Sequence, residues 1–139
     1  MTGAGAVLDA AAITLSAVEI PYDAAAALNI RAGYLALRRI ANYFDIPNPQ
    51  NPTYPDYPIC VDREEFDSVL DQLMTAGLPI KTDREQAWRD FAGWRVNYDR
   101  VLLALANLTM APYALWTSDR MPLPVDRALV SGKTLALER

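Results

Sequence analysis

The sequence predicts an all-α fold: a compact bundle of four to five helices, built as a single domain over residues 1–139, with a proline-rich extended connector at 45–60 and an irregular C-terminal tail at 111–139. Three observations predict it. Apolar residues recur at helical spacing in several segments. Capping residues stand in front of three of those segments. Prolines gather between the helical stretches, where they stop helices rather than extend them. With 52% apolar and 22% charged residues, the chain has the composition of a folding domain, and its length suffices for one core.

The first segment, Ala6 to Ile20, places Val7, Leu8, Ala11, Ala12, Leu15 and Val18 at helical spacing, and Pro21 opposes continuation. Asp23 is the expected N-cap of a second helix that runs to about Phe44, with Ala26, Ile30, Gly33, Leu37, Ile40 and Phe44 on one face. Gly33 in that face costs about 1 kcal/mol relative to Ala in helix propensity, so a close neighbour is expected there. Asp62 with Glu65, and Thr82 with Glu85, have the capping-box spacing. The helix after Asp62 should bury Phe66, Val69, Leu70 and Leu73 and stop at Gly77 in a left-handed turn. The next is expected to be long, from about Arg84 to Met110. Its stripe of Ala87, Phe91, Trp94, Tyr98, Val101, Leu102, Leu105 and Leu108 would make it the spine of the fold. Its second half is apolar all round and calls for enclosure by other elements or another subunit. A last short helix over Asp126–Arg139, interrupted at Gly132, would complete the tail.

Pro49, Pro52, Pro55 and Pro58 recur every third residue, the repeat of a polyproline II helix. The expected form is a stiff extended connector anchored by Tyr54 and Tyr57; a docking segment for a partner groove is the alternative.

Charge and residue inventory exclude much. Thirteen basic and seventeen acidic residues give a net charge of −4, and residues 1–60 and 61–139 are each mildly acidic, so nucleic acid is an improbable partner. There is no histidine, which removes imidazole bases and the commonest metal ligand. Cys60 is the single cysteine, so no internal disulfide or multi-cysteine zinc site forms. No cofactor, metal ligand set or catalytic group is expected. The N-terminus lacks the basic region of a secretory signal, Asp9 and Glu19 break its apolar run, and no stretch reaches the roughly 20 apolar residues that span a bilayer, so a cytoplasmic chain is expected.

Several motifs fail on context. Ser131–Thr134 resembles the end of a phosphate loop but lacks the leading glycine and strand. Gly3-x-Gly5 lacks the third glycine. Asn51-Pro-Thr-Tyr54 has the form of a tyrosine-based signal and Asn107-Leu-Thr109 that of a glycosylation site, neither in a supporting setting. Asp-Arg occurs five times, which reads as capping with surface ion pairing. Glu64, Glu65, Asp67 and Asp71 read as a solvated acidic face.

The constellation that stands out is Trp88, Trp94, Arg95, Tyr98 and Asp99, with Arg89, Asp90, Asn97 and Arg100 beside it. Arg95 and Asp99 are four apart and able to pair along a helix. Aromatics beside Arg have the make-up of interface anchors. With Tyr54 and Tyr57 these are the candidate interface or ligand-binding residues. They point to a non-catalytic interaction or regulatory domain acting through self-association or a protein partner. The alternatives are a small-molecule sensor with an aromatic and Arg pocket among Trp88, Trp94, Arg95 and Tyr98, and a histidine-free enzyme.

The stretches Ile30–Ile40, Asp83–Arg100 and Ala111–Arg120 resemble the C-terminal region of uncharacterised actinobacterial membrane proteins, some with an ion-channel-like character. The likeness covers most of residues 20–120 and contains no catalytic signature. It implies a cytosolic domain that follows transmembrane helices and contributes to assembly or gating. This chain departs from that picture in having no membrane-spanning segment.

Overall fold

The computed structural model describes residues 2–112 together with 115 and 116. Five helices form among them: α1 (Thr2–Ala17), α2 (Ala24–Tyr43), α3 (Arg63–Thr75), α4 (Arg84–Arg95) and α5 (Asp99–Leu108). The fold is all-α, as expected, and the single strand-like feature among the described residues is an isolated antiparallel bridge between Val18 and Ile80. The short helix expected at Asp126–Arg139, and most of the tail, lie outside the described residues.

α1 lies at the centre, packed along both α4 and α2, while α2 also touches α5 and α3 touches α4. Its sequence explains that position. Ala11, Ala12 and Ala17 are buried and let two neighbouring backbones come close. Gly33 of α2 serves the same purpose: a Cβ there would collide with Leu8 Cδ2, so the expected close neighbour is Leu8. The helix ends three residues earlier than its apolar pattern suggests. The backbone turns outward at Val18 so that Glu19 N–H donates to Pro79 O (2.7 Å) and Lys81 N–H donates to Ala17 O (2.8 Å). Pairing with 79–81 thus replaces the last helical turn.

The caps follow from local chemistry. Asp23 Oδ1 accepts from the Ala25 and Ala26 amides, and Asp62 with Glu65 forms the expected reciprocal box. For α4 the expected cap is displaced by one residue. Asp83, not Thr82, accepts from Gln86 N–H at 3.0 Å, which frees Glu85 to take Arg63 at 2.6 Å. Gly77 adopts the left-handed conformation after α3, with φ 95°.

The expected long helix is two. Between α4 and α5 the Asn97 and Tyr98 amides bond three residues back, to Trp94 O and Arg95 O, in place of four. The Asn97 side-chain amide donates to Gly93 O at 3.0 Å, taking the carbonyl that its own backbone would have used in a continuous helix. The apolar half, now α5, is enclosed within the chain: Val101, Leu102, Leu103, Leu105 and Ala106 are buried, while Leu108 is exposed. α1, not a continuous Arg84–Met110 helix, is the element on which the others converge.

The connector is non-helical but not one extended polyproline strand. Tyr57 N–H donates to Thr53 O (2.9 Å), closing a turn that interrupts the three-residue repeat of the four prolines, and the Tyr54–Pro55 peptide is cis. Tyr54 packs edge-on against Trp88 with ring centroids 6.0 Å apart, while Tyr57 is half-buried. Arg38 fastens the connector from below, with its guanidinium donating to Gln50 O (2.9 Å) and Asn97 Oδ1 (3.2 Å) and lying 4.6 Å over the Tyr34 ring.

Candidate functional site

The candidate residues separate into three environments. Trp88 joins an aromatic cluster at the α3–α4 contact, where Phe66 lies 5.4 Å from Trp88 and 4.8 Å from Phe91, and Phe91 lies 5.8 Å from Trp116. Such tilted ring pairs add to the burial of their apolar area. This cluster, with Tyr54 over its edge, is core.

Arg95, Tyr98 and Asp99 form the second environment, a fully buried polar cluster that α1 completes. Arg95 is wholly buried, and its fork is used on every side. Nε donates to Asp99 Oδ1 at 2.7 Å, Nη1 to Asp9 Oδ1, and Nη2 to the Trp116 carbonyl at 2.6 Å. Tyr98 Oη donates to the same Asp9 oxygen at 2.8 Å. Cys60 closes the far side, its backbone N–H donating to Asp99 Oδ2 (3.1 Å) and its thiol to Asp99 Oδ1 (3.1 Å).

One guanidinium therefore faces two buried carboxylates, and the charge states follow. Burial pushes the Asp9 carboxyl up, more than its contacts with Arg95 and Tyr98 bring it down, and Asp99 adds to the rise. For Arg95, burial works against the charge, but the attraction of Asp9 and Asp99 outweighs it and holds the guanidinium well above its ordinary range. Burial, then the negative Asp9 beside it, drives the Tyr98 phenol well above 10.0. The Cys60 thiol rises from 9.0 to about 12, through burial and the neighbouring Asp99. A thiol held protonated is a weak nucleophile. These groups satisfy one another, and the cluster joins α1, the connector, the α4–α5 junction and Trp116.

Asp9, Cys60 and Trp116 were missed as members of this cluster. Asp9 reads along the sequence as an interruption of an apolar run. The available signal was its spacing: Asp9, Ala12 and Ser16 share one face of α1, and all three are buried. An ionisable side chain on a buried face demands a partner.

Trp94 reaches a surface depression, together with Arg89, Asp90 and Asn97 beside it. With Leu15, Tyr22, Arg89, Asp90, Gly93 and Asn97 it lines an open groove of ≈ 510 Å³. Trp88, Arg95 and Tyr98 are not among its walls, so among the described residues this groove is not the pocket expected from all four. The acidic face is also not simply solvated. Asp67 accepts from Arg63 within α3 (2.8 Å), and Asp71 accepts from Arg84 (2.8 Å), which ties α3 to α4. Of the Asp-Arg pairs, those at 62–63 and 83–84 combine capping with ion pairing as expected, Asp99 is instead buried in the core, and those at 119–120 and 126–127 lie outside the described residues.

The surface that no expectation covered is on α1 and α2. Ile40 and Phe44, expected in the buried face of α2, are 37% and 50% exposed, and Val7 of α1 is 55% exposed. The buried stripe of α2 instead passes through Ile30, Leu37, Arg38 and Ala41, because Arg38 has to reach the connector. A shallow apolar groove of ≈ 450 Å³ runs between the two helices over Val7, Leu8, Gly33, Ala36 and Ile40. Leu28 and Leu35, exposed on the outer side of α2, extend the apolar surface beyond it.

Among the described residues no helix is long and apolar enough to cross a membrane, and no group of acidic or cysteine side chains is arranged to hold a metal ion. No family model matches the chain, and no curated protein or solved structure is significantly similar to it.

Proposed function

We propose that the chain is a non-catalytic assembly domain that works by self-association, through the apolar surface of α1 and α2. The observation that carries this reading is the exposure of Val7 and Ile40 on adjacent helices along one groove, with Leu28 and Leu35 exposed beyond it on the outer side of α2. Exposed apolar side chains are ordinary singly, but a contiguous patch signals an interaction site. The buried polar cluster supports the non-catalytic part, since its titratable groups bond one another rather than face a cleft. A cytosolic domain acting beside a membrane-protein assembly is the setting that the resemblance suggests for such a surface.

Light scattering over a concentration series tests it. The expected result is a mass that rises above 15.4 kDa with concentration. A mass that stays at the monomer value up to about 1 mM, where an association as weak as about 4 kcal/mol would show, overturns self-association.

The groove around Trp94 favours a second reading, a small-molecule sensor, because an aromatic wall stands there beside Arg89 and Asp90. A ligand screen read by Trp94 fluorescence, with Trp94→Phe as control, tests that reading separately.

A further inference from the structure

α2 is apolar on two opposite faces. At about 100° per residue, Ile30, Leu37 and Ala41 point into the core while Ala25, Leu28, Ala32, Leu35 and Arg39 line up on the opposite side. All five outer residues are exposed, Leu28 by 66% and Leu35 by 46%. Their spacing alternates three and four, the seam of a coiled coil, with Ala25, Ala32 and Arg39 at one of the two heptad positions and Leu28 and Leu35 at the other.

We propose that a second copy of this chain covers that seam, α2 packing antiparallel on α2 about a two-fold axis near residue 30. The proposal rests on the assembly reading above and names its partner and geometry. Size complementarity is the first argument. In this register Ala25 faces the partner's Leu35 and Leu28 faces the partner's Ala32, each twice, so every layer sets a large side chain against a small one and the two backbones approach closely.

Charge complementarity selects the direction. The entry of α2 carries exposed Glu19 and Asp23, and its second half carries exposed Arg39, while Arg31 lies near the axis and outside this pairing. Antiparallel packing brings Arg39 beside the partner's acidic entry, twice by symmetry. Parallel packing would set Arg39 against Arg39. Asp23 uses Oδ1 to cap its helix, which leaves the second oxygen for a guanidinium. Antiparallel helices also align their dipoles favourably. A seam along one helix is smaller than the roughly 800 Å² per partner of a standard interface, so the dimer is expected to be weak.

The test is sedimentation equilibrium of the full chain and of a Leu28→Glu/Leu35→Glu variant, both checked by circular dichroism. The wild type should approach twice 15.4 kDa, and the variant should associate at least about tenfold more weakly. Both substitutions are on exposed positions, so the fold should survive. Spin labels at Tyr43→Cys in a Cys60→Ala background then read the direction. An antiparallel seam centred on residue 30 separates the labels by about 40 Å, from 1.5 Å rise per residue. A distance near 10–15 Å, a mass above the dimer, or an oligomer indifferent to the two Glu substitutions overturns this inference; the last of these leaves the broader assembly reading intact. A strict monomer overturns both.

Discussion

Arg95 shows how one side chain can hold several parts of a fold together. Its guanidinium reaches Asp9 in α1, Asp99 in α5 and the Trp116 carbonyl. Replacing it with Met should leave two buried carboxylates without a cation, and removing one partner of a buried pair costs about 3–5 kcal/mol. Urea denaturation at neutral pH measures this, and a loss under about 1 kcal/mol would mean that the cluster does not organise the core. Alkaline pH probes the same site. The folded chain keeps the Cys60 proton to about 12, whereas the unfolded thiol releases it near 9.0, so between those values the folded state binds more protons. Stability must therefore fall as pH rises through that window, by at most about 1.4 kcal/mol per pH unit from this group. Tyr98 adds to the fall above its ordinary 10.0. Cys60→Ala should flatten the decline between about pH 9 and 10. Parallel profiles for wild type and variant would refute the assignment. At this scale the sequence revealed the Arg95–Asp99 pair through its spacing of four. Asp9 and Cys60 stayed hidden because their partners are distant along the chain.

At the scale of elements, legibility follows from how local the cause is. The Asp23 cap, the Asp62–Glu65 box and the Gly77 turn each depend on residues within one helical turn, and all three appear where expected. The cap of α4 is the instructive exception, since Thr82 and Asp83 are both able to cap. Asp83 accepts the Gln86 amide while Glu85 pairs across to Arg63, an interaction that no local pattern contains. Asp83→Ala should cost about 1 kcal/mol, the usual value of an N-cap, and Thr82→Ala only a few tenths. Thermal unfolding of the two variants separates the assignments, and the reverse order would return the cap to Thr82. The α4–α5 break was unreadable for a related reason. Residues 84–110 keep a helical apolar stripe throughout, and only the Asn97 side chain capturing the Gly93 carbonyl marks the junction.

For the whole molecule, the arrangement changes which residues are useful probes of function. Trp94→Ala and Arg95→Ala look equivalent on the sequence as tests of an interface. In the fold Arg95 is buried and holds the core together, so its loss reads as unfolding, whereas Trp94 borders an open groove. Trp94→Ala is accordingly expected to leave the concentration dependence of the mass unchanged, since association is assigned to α1 and α2. An oligomer dissolved by Trp94→Ala would move the interface to α4. The triplet-spaced prolines also change meaning. A turn at Thr53–Tyr57 breaks their line and Tyr54 is committed to Trp88, so the connector is fastened to the core rather than held out as a docking segment.

What the sequence determined by itself was the helical class, the main caps, the non-helical connector and the absence of imidazole and multi-cysteine chemistry. Each of these depends on composition or on residues close in the chain. Only the tertiary structure decided that Asp9 meets Arg95 across 86 positions, that α1 is the central helix, and that Ile40, Leu28 and Leu35 remain outside. The reason is physical. A periodic pattern shows that a helix has an apolar face, but α2 has two, and which one enters the core is fixed by the Leu8–Gly33 contact and by Arg38 reaching for Gln50 and Asn97.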